Sequence, residues 1–346
     1  MKRRVQFPLL SVTLTCAAWV LPAWADAPSP VFRPEPATTV HASLSAPGSI
    51  SVGNFDSGRA DFHVTLSDGL RIEYNVFGLF ALPGEVMSLE ASTRVRASSA
   101  DGLLLRNRGP HVSWTAPTAP GLYTMELRGT GSNSGAVMRL NLIVMRPAEE
   151  MEAGLLDHYH IGQYPEQPYR GLETYLPPEG FAEVTPEMRG IHLSPHFTLG
   201  QFLSKQASPW PKFAFVQARL VLKLEQLLEA VNAAGIETDS FTVMSGYRTP
   251  HYNASIGNGE HSRHIFGGAA DIFIDVAPQD GVMDDINGDG QLNEDDAAWL
   301  YRFIDQISTR SEWQDLNGGL GQYGSTPAHG PFVHVDERGW PARWGG

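Results

Sequence analysis

The hydrophobic pattern changes near residue 148, and this change constrains the fold more than any other feature of the chain. In residues 30–147, short apolar-rich runs alternate with turn residues, and residues 71–76 alternate polar and apolar side chains as a half-buried strand does. From residue 191 onwards, one long helical pattern is combined with isolated strand-like runs. We therefore expect an all-β domain followed by a domain of the α+β class.

The all-β domain, residues 30–147, is predicted to be an immunoglobulin-like sandwich. Residues 112–123 resemble the late strands of bacterial immunoglobulin-like modules, and the region has the length of one sandwich of about 100 residues. No set of catalytic residue types stands out in it. We interpret this domain as a spacer or a binding module.

The rest of the chain is predicted to be a linker and a second domain. Residues 148–190 are interpreted as the linker, because five prolines interrupt the segment after an acidic start. Residues 191–346 form the second domain. Its clearest helix is predicted for residues 211–234, where apolar side chains recur at three- and four-residue steps. Strands are expected at residues 241–244, 270–274 and 332–335.

The composition limits where the protein works and what it binds. The chain has 25 Lys and Arg against 38 Asp and Glu, a net charge of −13, which argues against nonspecific nucleic-acid binding because such binding needs clustered cations. Residues 1–25 have the basic start, apolar stretch and small-x-small end of a signal peptide. We therefore expect an exported, periplasmic protein without a membrane span in the mature chain. The only cysteine, Cys16, lies in the signal peptide, so disulfides and cysteine metal ligands are not expected.

Two distant segments carry residues that suit a metal site. His264 and Asp271 are seven residues apart, with Gly267 and Gly268 permitting a tight turn between them, and His334 lies on a predicted strand far downstream. Two imidazoles and one carboxylate, with a fourth position open, form a common catalytic zinc shell. On its own, a His and an Asp at this spacing are more often structural than metal-binding.

The same segments resemble the zinc D-alanyl-D-alanine carboxypeptidase-like peptidases of bacterial cell walls. Three family patterns occur in order: S-G-Y-R-[ST] at residues 245–249, S-x-H-x-x-G-x-A-x-D at residues 262–271 and H-V-D at residues 334–336. The resemblance covers about residues 192–346. It implies an α+β peptidase domain with a catalytic zinc ion held by His264, Asp271 and His334.

The resemblance also implies a role for Arg248, which follows the first pattern's tyrosine. In the family this arginine contacts the substrate carboxylate or the developing oxyanion. A planar guanidinium suits both tasks, because it pairs bidentately with a carboxylate and stabilises negative charge that grows in the transition state.

The general base is where the chain departs from the better-known members of the family. They place an acid three positions, or a His two positions, before the last zinc ligand, and this chain has Pro331 and Phe332 there. Two candidates remain open. Asp336 shares a strand face with the last ligand and acts either as the base or as a partner that orients this ligand, and His329 lies on the loop upstream. Glu260 and His261 are weaker candidates.

Residues 285–296 fit the calcium-loop template D-x-[DN]-x-[DN]-G, with Gly290 at the required sharp turn. The predicted calcium ligands are Asp285, Asn287, Asp289, the Gln291 carbonyl, Asn293 and Asp296. The final Asp, where most EF-hands have Glu, resembles dockerin-like loops. Because the loop lies between the second and third zinc ligands, we expect calcium to stabilise this insertion.

We therefore expect an exported zinc peptidase that hydrolyses peptide bonds in peptidoglycan stem peptides or cross-links, as a D,D-carboxypeptidase or an endopeptidase. Its N-terminal domain would bind the cell wall or another protein. The alternative from another class is a non-catalytic wall-binding or adaptor protein that keeps the peptidase fold, and the missing base pattern motivates it. Hydrolysis that is lost in His264→Ala would exclude this alternative. A dockerin-type assembly module is disfavoured, because the single calcium loop is internal.

Overall fold

The computed structural model describes residues 55–345, so the predicted signal peptide and the start of the predicted sandwich lie outside the described residues. The β-rich region contains β1 (Arg59–Leu66), β2 (Arg71–Tyr74), β3 (Val76–Ala81), β4 (Val86–Ala91), β5 (Val95–Ser98), β6 (Leu104–Arg108), β7 (His111–Thr115), β8 (Gly121–Gly129) and β9 (Val137–Val144). One sheet has the order β2-β1-β4-β7-β6, and the other has the order β3-β9-β8-β5 with β3 parallel to β9. The region is thus β-rich as expected, and the immunoglobulin-like assignment stays a prediction.

The middle of the chain contains short strands. They are β10 (Arg146–Pro147), β11 (Leu155–Leu156), β12 (Tyr159–His160), β13 (Gly180–Val184) and β14 (Lys212–Ala214). Strands β10, β13 and β14 form an antiparallel sheet, and β11 and β12 form a hairpin.

A second five-stranded sheet organises the C-terminal region. Its strands are β15 (Thr242–Ser245), β16 (Ala269–Phe273), β17 (Gly319–Tyr323), β18 (Phe332–Asp336) and β19 (Ala342–Trp344). Their order is β15-β16-β18-β17-β19, and β16 and β18 are central neighbours. The helices are α1 (Ala218–Ala233), α2 (Pro250–Ser255) and α3 (Glu294–Ser308). Among the helices of the described residues, none is long and apolar enough to cross a membrane.

Residues 148–190, interpreted above as a linker, contribute buried side chains to the main core. Leu156, Tyr159 and Ile161 are fully buried in the main core, and so is Phe181 of β13. Strand β13 pairs with β10 on one side and with β14 on the other. Burial removes these apolar side chains from water, which stabilises the packed segment.

The helix predicted for residues 211–234 begins later than expected. Residues 212–214 form β14, which pairs antiparallel with β13, and α1 begins at Ala218. Phe213 and Val216 match the helical spacing of the later leucines by coincidence, because a three-residue strand is too short for its own period to show. From Leu220 to Val231, the predicted apolar face is buried in the core.

The β-rich and C-terminal regions are joined by direct contacts. The Gly78 amide donates to the Leu193 carbonyl at 2.9 Å, and Arg59 forms an ion pair with Glu229 of α1 at 2.7 Å. Buried side chains of both regions belong to one continuous apolar cluster. The two predicted domains therefore share a core within the described residues.

A buried ion pair at this junction predicts pH-dependent stability. Glu225 of α1 is fully buried, and its carboxylate accepts a hydrogen bond from His196 Nδ1 at 2.7 Å. Burial opposes protonation, but the hydrogen bond and charge of Glu225 outweigh it and raise the pKa of His196. The stabilisation is therefore complete below the unfolded pKa of about 6.5 and is lost as pH rises through the higher folded-state pKa. We expect the melting temperature of the wild type to fall more steeply between pH 6 and pH 8 than that of His196→Gln.

The comparison between the two proteins isolates this pair from other groups that titrate in the same range. Glu225→Gln should flatten the pH dependence of the melting temperature as much as His196→Gln does, because it removes the other member of the same ion pair. Parallel melting curves of wild type and both variants would show that the pair does not couple protonation to folding.

Candidate metal centre

The register of two neighbouring strands brings Asp271 and His334 together. β16 and β18 are antiparallel, and Asp271 of β16 lies directly opposite His334 of β18. A slip of one residue in either strand would turn its side chain to the opposite face of the sheet, away from the other residue, so the pairing register is essential to the site. Both strands are completely buried, which fixes that register through packing on each side.

His264 reaches the same point from a short 3₁₀ helix, Arg263–Phe266, that precedes β16. This helix ends at Gly267, which has a φ of 68°, and a Cβ atom at this position would lie 2.5 Å from the Phe215 carbonyl oxygen. Only glycine combines the left-handed conformation with this close approach. Gly267 thus allows the chain to turn from the helix into β16 within a few residues.

Three ligand atoms converge in the arrangement that a metal ion requires. His264 Nε2 lies 3.2 Å from both Asp271 Oδ1 and His334 Nδ1, and the latter two atoms are 2.8 Å apart. A tetrahedral zinc ion with bonds of about 2.0 Å places neighbouring ligand atoms roughly 3.3 Å apart. Among the described residues, this trio is the one group of His, Cys or acidic side chains with metal-site spacing. The structure therefore brings together all three residues that the sequence predicts as zinc ligands.

The second nitrogen of each histidine is held by an acceptor. His264 Nδ1 donates to the Gly246 carbonyl at 2.7 Å, so Nε2 presents its lone pair to the site. His334 Nε2 lies 3.2 Å from Asp336 Oδ2, so its Nδ1 faces the site. Such partners fix the tautomer and the ring orientation of metal-bound histidines. The donor set and its supporting bonds fit a zinc ion.

Asp336 lies against the second nitrogen of His334. Its carboxylate is completely buried and accepts hydrogen bonds from the Gly319 amide at 2.7 Å and from Arg338 at 2.5 Å. Burial opposes ionisation, but His334 and Arg338 hold the pKa of Asp336 well below its usual range. Asp336 is absent from the lining of the adjacent cleft. Of the two roles left open by the sequence, the geometry favours orientation over proton transfer.

Asp271 is stabilised as an anion by its surroundings. Burial alone would raise its pKa, but His264 and His334 hold the pKa of Asp271 well below its usual range. Its second oxygen, Oδ2, accepts a hydrogen bond from Arg248. The carboxylate is therefore charged and ready to bind a cation.

Arg248 lies beside the metal ligands at the wall of the cleft. Its Nε donates to Ser245 Oγ at 2.8 Å while its Nη2 pairs with Asp271. These contacts hold the guanidinium next to the site, where a substrate would meet it. The family-implied role of Arg248 is compatible with this position.

A cleft of about 1190 Å³ gives access to the three ligands. His329 lines it on the loop between β17 and β18, and its Nδ1 donates to the Gly330 carbonyl at 2.8 Å. Nε2 is then the nitrogen that can accept a proton. The two weaker base candidates, Glu260 and His261, also line the cleft.

The predicted calcium loop forms a compact turn ahead of α3. The Asp285 carboxylate accepts bonds from the Gly288 and Gly290 amides at 2.8 and 2.7 Å, and Gly290 has a φ of 81°. Asp296 is fully buried and accepts from the Ile286 amide at 3.0 Å. Three other predicted ligands also accept backbone hydrogen bonds. The Asn287 side chain accepts from the Asp289 amide, Asp289 from the Gln291 amide and Asn293 from the Asp295 amide. Within residues 55–345, the loop acids do not converge as the zinc trio does, so calcium binding stays a prediction.

Several residues that complete the cleft were not predicted from the sequence. Tyr169, Arg170 and Tyr175 line it from the segment interpreted as a linker, and Arg338 and Trp340 line it from beyond β18. The tyrosines of residues 148–190 recur at short intervals, and this recurrence indicates side chains that pack against the rest of the protein. Arg338 follows Asp336 by two residues, but nothing in the local pattern distinguishes it from a surface arginine.

A buried mononuclear site with two histidines, one carboxylate and an open cleft is typical of metal-dependent hydrolases. Residues 195–284, 90 of the 346 in the chain, match the model of the family described as Peptidase M15. The matched segment contains Arg248, His264 and Asp271, and His334 lies beyond it. None of the curated proteins compared with the sequence is similar to it. The match supports a metallopeptidase.

Proposed function

We propose that the protein is an exported zinc peptidase that hydrolyses peptide bonds in peptidoglycan stem peptides or their cross-links, as a D,D-carboxypeptidase or an endopeptidase. The observation that carries the proposal is the convergence of His264, Asp271 and His334 at the wall of an open cleft. Peptidases of the matched family are zinc-dependent, which supports the choice of metal. The resemblance to cell-wall peptidases and the predicted signal peptide support the substrate and the location.

The residues of the cleft divide the chemistry among them. His264, Asp271 and His334 would hold a zinc ion, which when bound would supply the Lewis acid that polarises the scissile carbonyl and activates water. Arg248 donates to the substrate carboxylate or to the oxyanion as it develops. His329 accepts a proton from the attacking water and returns it to the amine as the carbon–nitrogen bond breaks.

His329→Gln is expected to lower kcat by about 10²- to 10⁴-fold, which is the usual contribution of a general base. The zinc content should stay at one per chain, because His329 does not contact the ligand atoms. Steady-state kinetics and metal analysis of the same preparation would check both points. An unchanged kcat would remove His329 from the mechanism and direct attention to Glu260 and His261.

We also propose that residues 285–296 bind calcium and stabilise the insertion before α3. A ligand that binds only the folded state adds about 2.7 kcal/mol of stability at a hundredfold excess over its Kd. Calcium is therefore expected to raise the melting temperature of the wild type but not that of Asp285→Ala. The calcium-induced shift is the informative quantity, because Asp285 also caps backbone amides and its loss destabilises the loop by itself. Equal shifts in both proteins would contradict the proposal.

The proposed function is tested by mass spectrometry of purified peptidoglycan fragments incubated with the mature protein and zinc. Zinc-dependent loss of a terminal D-alanine would identify a carboxypeptidase, and conversion of cross-linked dimers into monomers would identify an endopeptidase. Bound zinc without any product would contradict the proposal and favour a non-catalytic protein.

A further inference from the structure

The arginines of the cleft differ in their partners. Within the described residues, four arginines line the cleft. Arg248 is paired with Asp271, Arg263 with Glu337 and Arg338 with Asp336. In the part of the chain that the structure describes, no carboxylate lies within ion-pair distance of the fourth, Arg170. An exposed cation without a partner is therefore presented to whatever occupies the cleft.

The backbone of Arg170 has a conformation that arginine rarely adopts. Its φ is 54° and its ψ is 21°, in the left-handed region that glycine adopts without strain. Residues held in such conformations cluster at active sites and ligand clamps. Ala153 and Asp157 share this conformation, so the backbone of Arg170 counts only together with its place in the cleft.

Neighbouring aromatic rings hold the guanidinium at the cleft. The Arg170 guanidinium lies over the ring of Tyr169, 5.0 Å from its centroid, and Tyr169 packs on Tyr175 and His261 at 5.3 Å each. Stacking on an aromatic face leaves the in-plane N–H donors of a guanidinium free to bind a planar anion. Among the described residues, two acids line the cleft, and neither is paired with Arg170. Asp271 faces the metal site, and the Glu260 carboxylate lies 3.8 Å from His261.

We propose that Arg170 binds a second carboxylate of the substrate, separate from the group that Arg248 contacts. This inference rests on the proposed function and narrows it to acidic peptides that carry a free carboxylate away from the scissile bond. Arg170 is then a specificity-determining residue, because it strengthens the binding of substrates with a second carboxylate that takes no part in the reaction.

Two peptides test the proposal: acetyl-Glu-Lys-D-Ala-D-Ala and the same peptide with Gln in place of Glu. Their Kd values are measured by calorimetry on zinc-free protein, and their KM values on zinc-loaded protein. We expect Arg170→Gln to weaken binding of the Glu peptide by about tenfold, the effect of one charged hydrogen-bonded pair, and to leave the Gln peptide unaffected. The matched control Arg302→Gln removes an exposed arginine of α3 outside the cleft lining and should change neither value.

A second variant separates binding from folding. Arg170→Gly relieves the left-handed strain, so it should keep the wild-type melting temperature while losing the preference for the Glu peptide. A lower melting temperature with the preference retained would assign Arg170 a structural role and overturn the proposal.

The outcomes distinguish this inference from the proposed function. If zinc-loaded protein cleaves both peptides and Arg170→Gln does so with unchanged KM values, the inference is wrong and the function stands. If neither peptide is cleaved but zinc-free protein still prefers the Glu peptide through Arg170, the carboxylate site stands and the proposed function fails.

Discussion

His264→Ala is expected to abolish stoichiometric zinc binding and to lower kcat/KM for peptide hydrolysis by about a thousandfold or more. His264 supplies one of three converging ligand atoms, and the two that remain cannot complete a tetrahedral site. A metal ion contributes several kcal/mol of transition-state stabilisation, and each 1.36 kcal/mol corresponds to about tenfold in rate. Metal analysis after dialysis and steady-state kinetics would measure the two effects on one preparation.

The control for this prediction is His111→Ala. His111 lies exposed on β7, far along the chain from the ligands, and its loss should leave zinc content and rate unchanged. Comparing the melting temperature of His264→Ala with that of zinc-free wild type separates lost metal from lost packing. Full activity of His264→Ala would contradict the metal site itself.

Asp336→Asn is expected to weaken zinc affinity by about 10- to 100-fold, the usual effect of removing the charged partner of a metal-bound histidine. The carboxylate accepts from His334, Arg338 and the Gly319 amide, and Asn replaces one of its two acceptor oxygens with a donor. His334 would lose the anion that fixes its tautomer. A competition titration with a zinc chelator would measure the change.

The same experiment decides between the two roles considered for Asp336. An orienting residue changes metal affinity, whereas a general base changes kcat at saturating zinc. Arg338→Gln is the matched variant, because it removes the other side of the same contact and should weaken zinc binding in the same direction. Unchanged affinity with a kcat reduced by a hundredfold or more would contradict the assignment as an orienting residue.

The part of the site formed by His264 and Asp271 could be predicted from the sequence, because both residues lie within one short segment of the chain. Residues 262–271 contain His264, the turn glycine Gly267 and Asp271 within ten positions, and the resemblance to a peptidase family, rather than the spacing alone, made both side chains predicted zinc ligands. His334 is predicted by the same resemblance, through the H-V-D pattern at residues 334–336. The structure places all three together, and the matched family covers the first two.

The role of Asp336 could not be predicted from the chain alone. Its alternation with His334 placed both on one strand face, which suits either a base or an orienting partner. Its complete burial and its contact with Arg338 depend on how β17, β18 and the segment after β18 pack together. Those contacts are decided by tertiary structure, so the two roles had to remain open.

The β-rich start and the mixed second half follow from the sequence itself, because hydrophobic period and turn residues act over a few neighbouring positions, and the three predicted metal ligands follow from motifs that resemble a peptidase family. Only the tertiary structure decided that Tyr169, Arg170 and Tyr175 of residues 148–190 line the cleft and that α1 begins at Ala218 after a short strand. Burial of a segment depends on surfaces that come from distant parts of the chain, and a local pattern does not encode them. For the same reason, Arg170 became a candidate for substrate recognition only when the partners of the other cleft arginines were known.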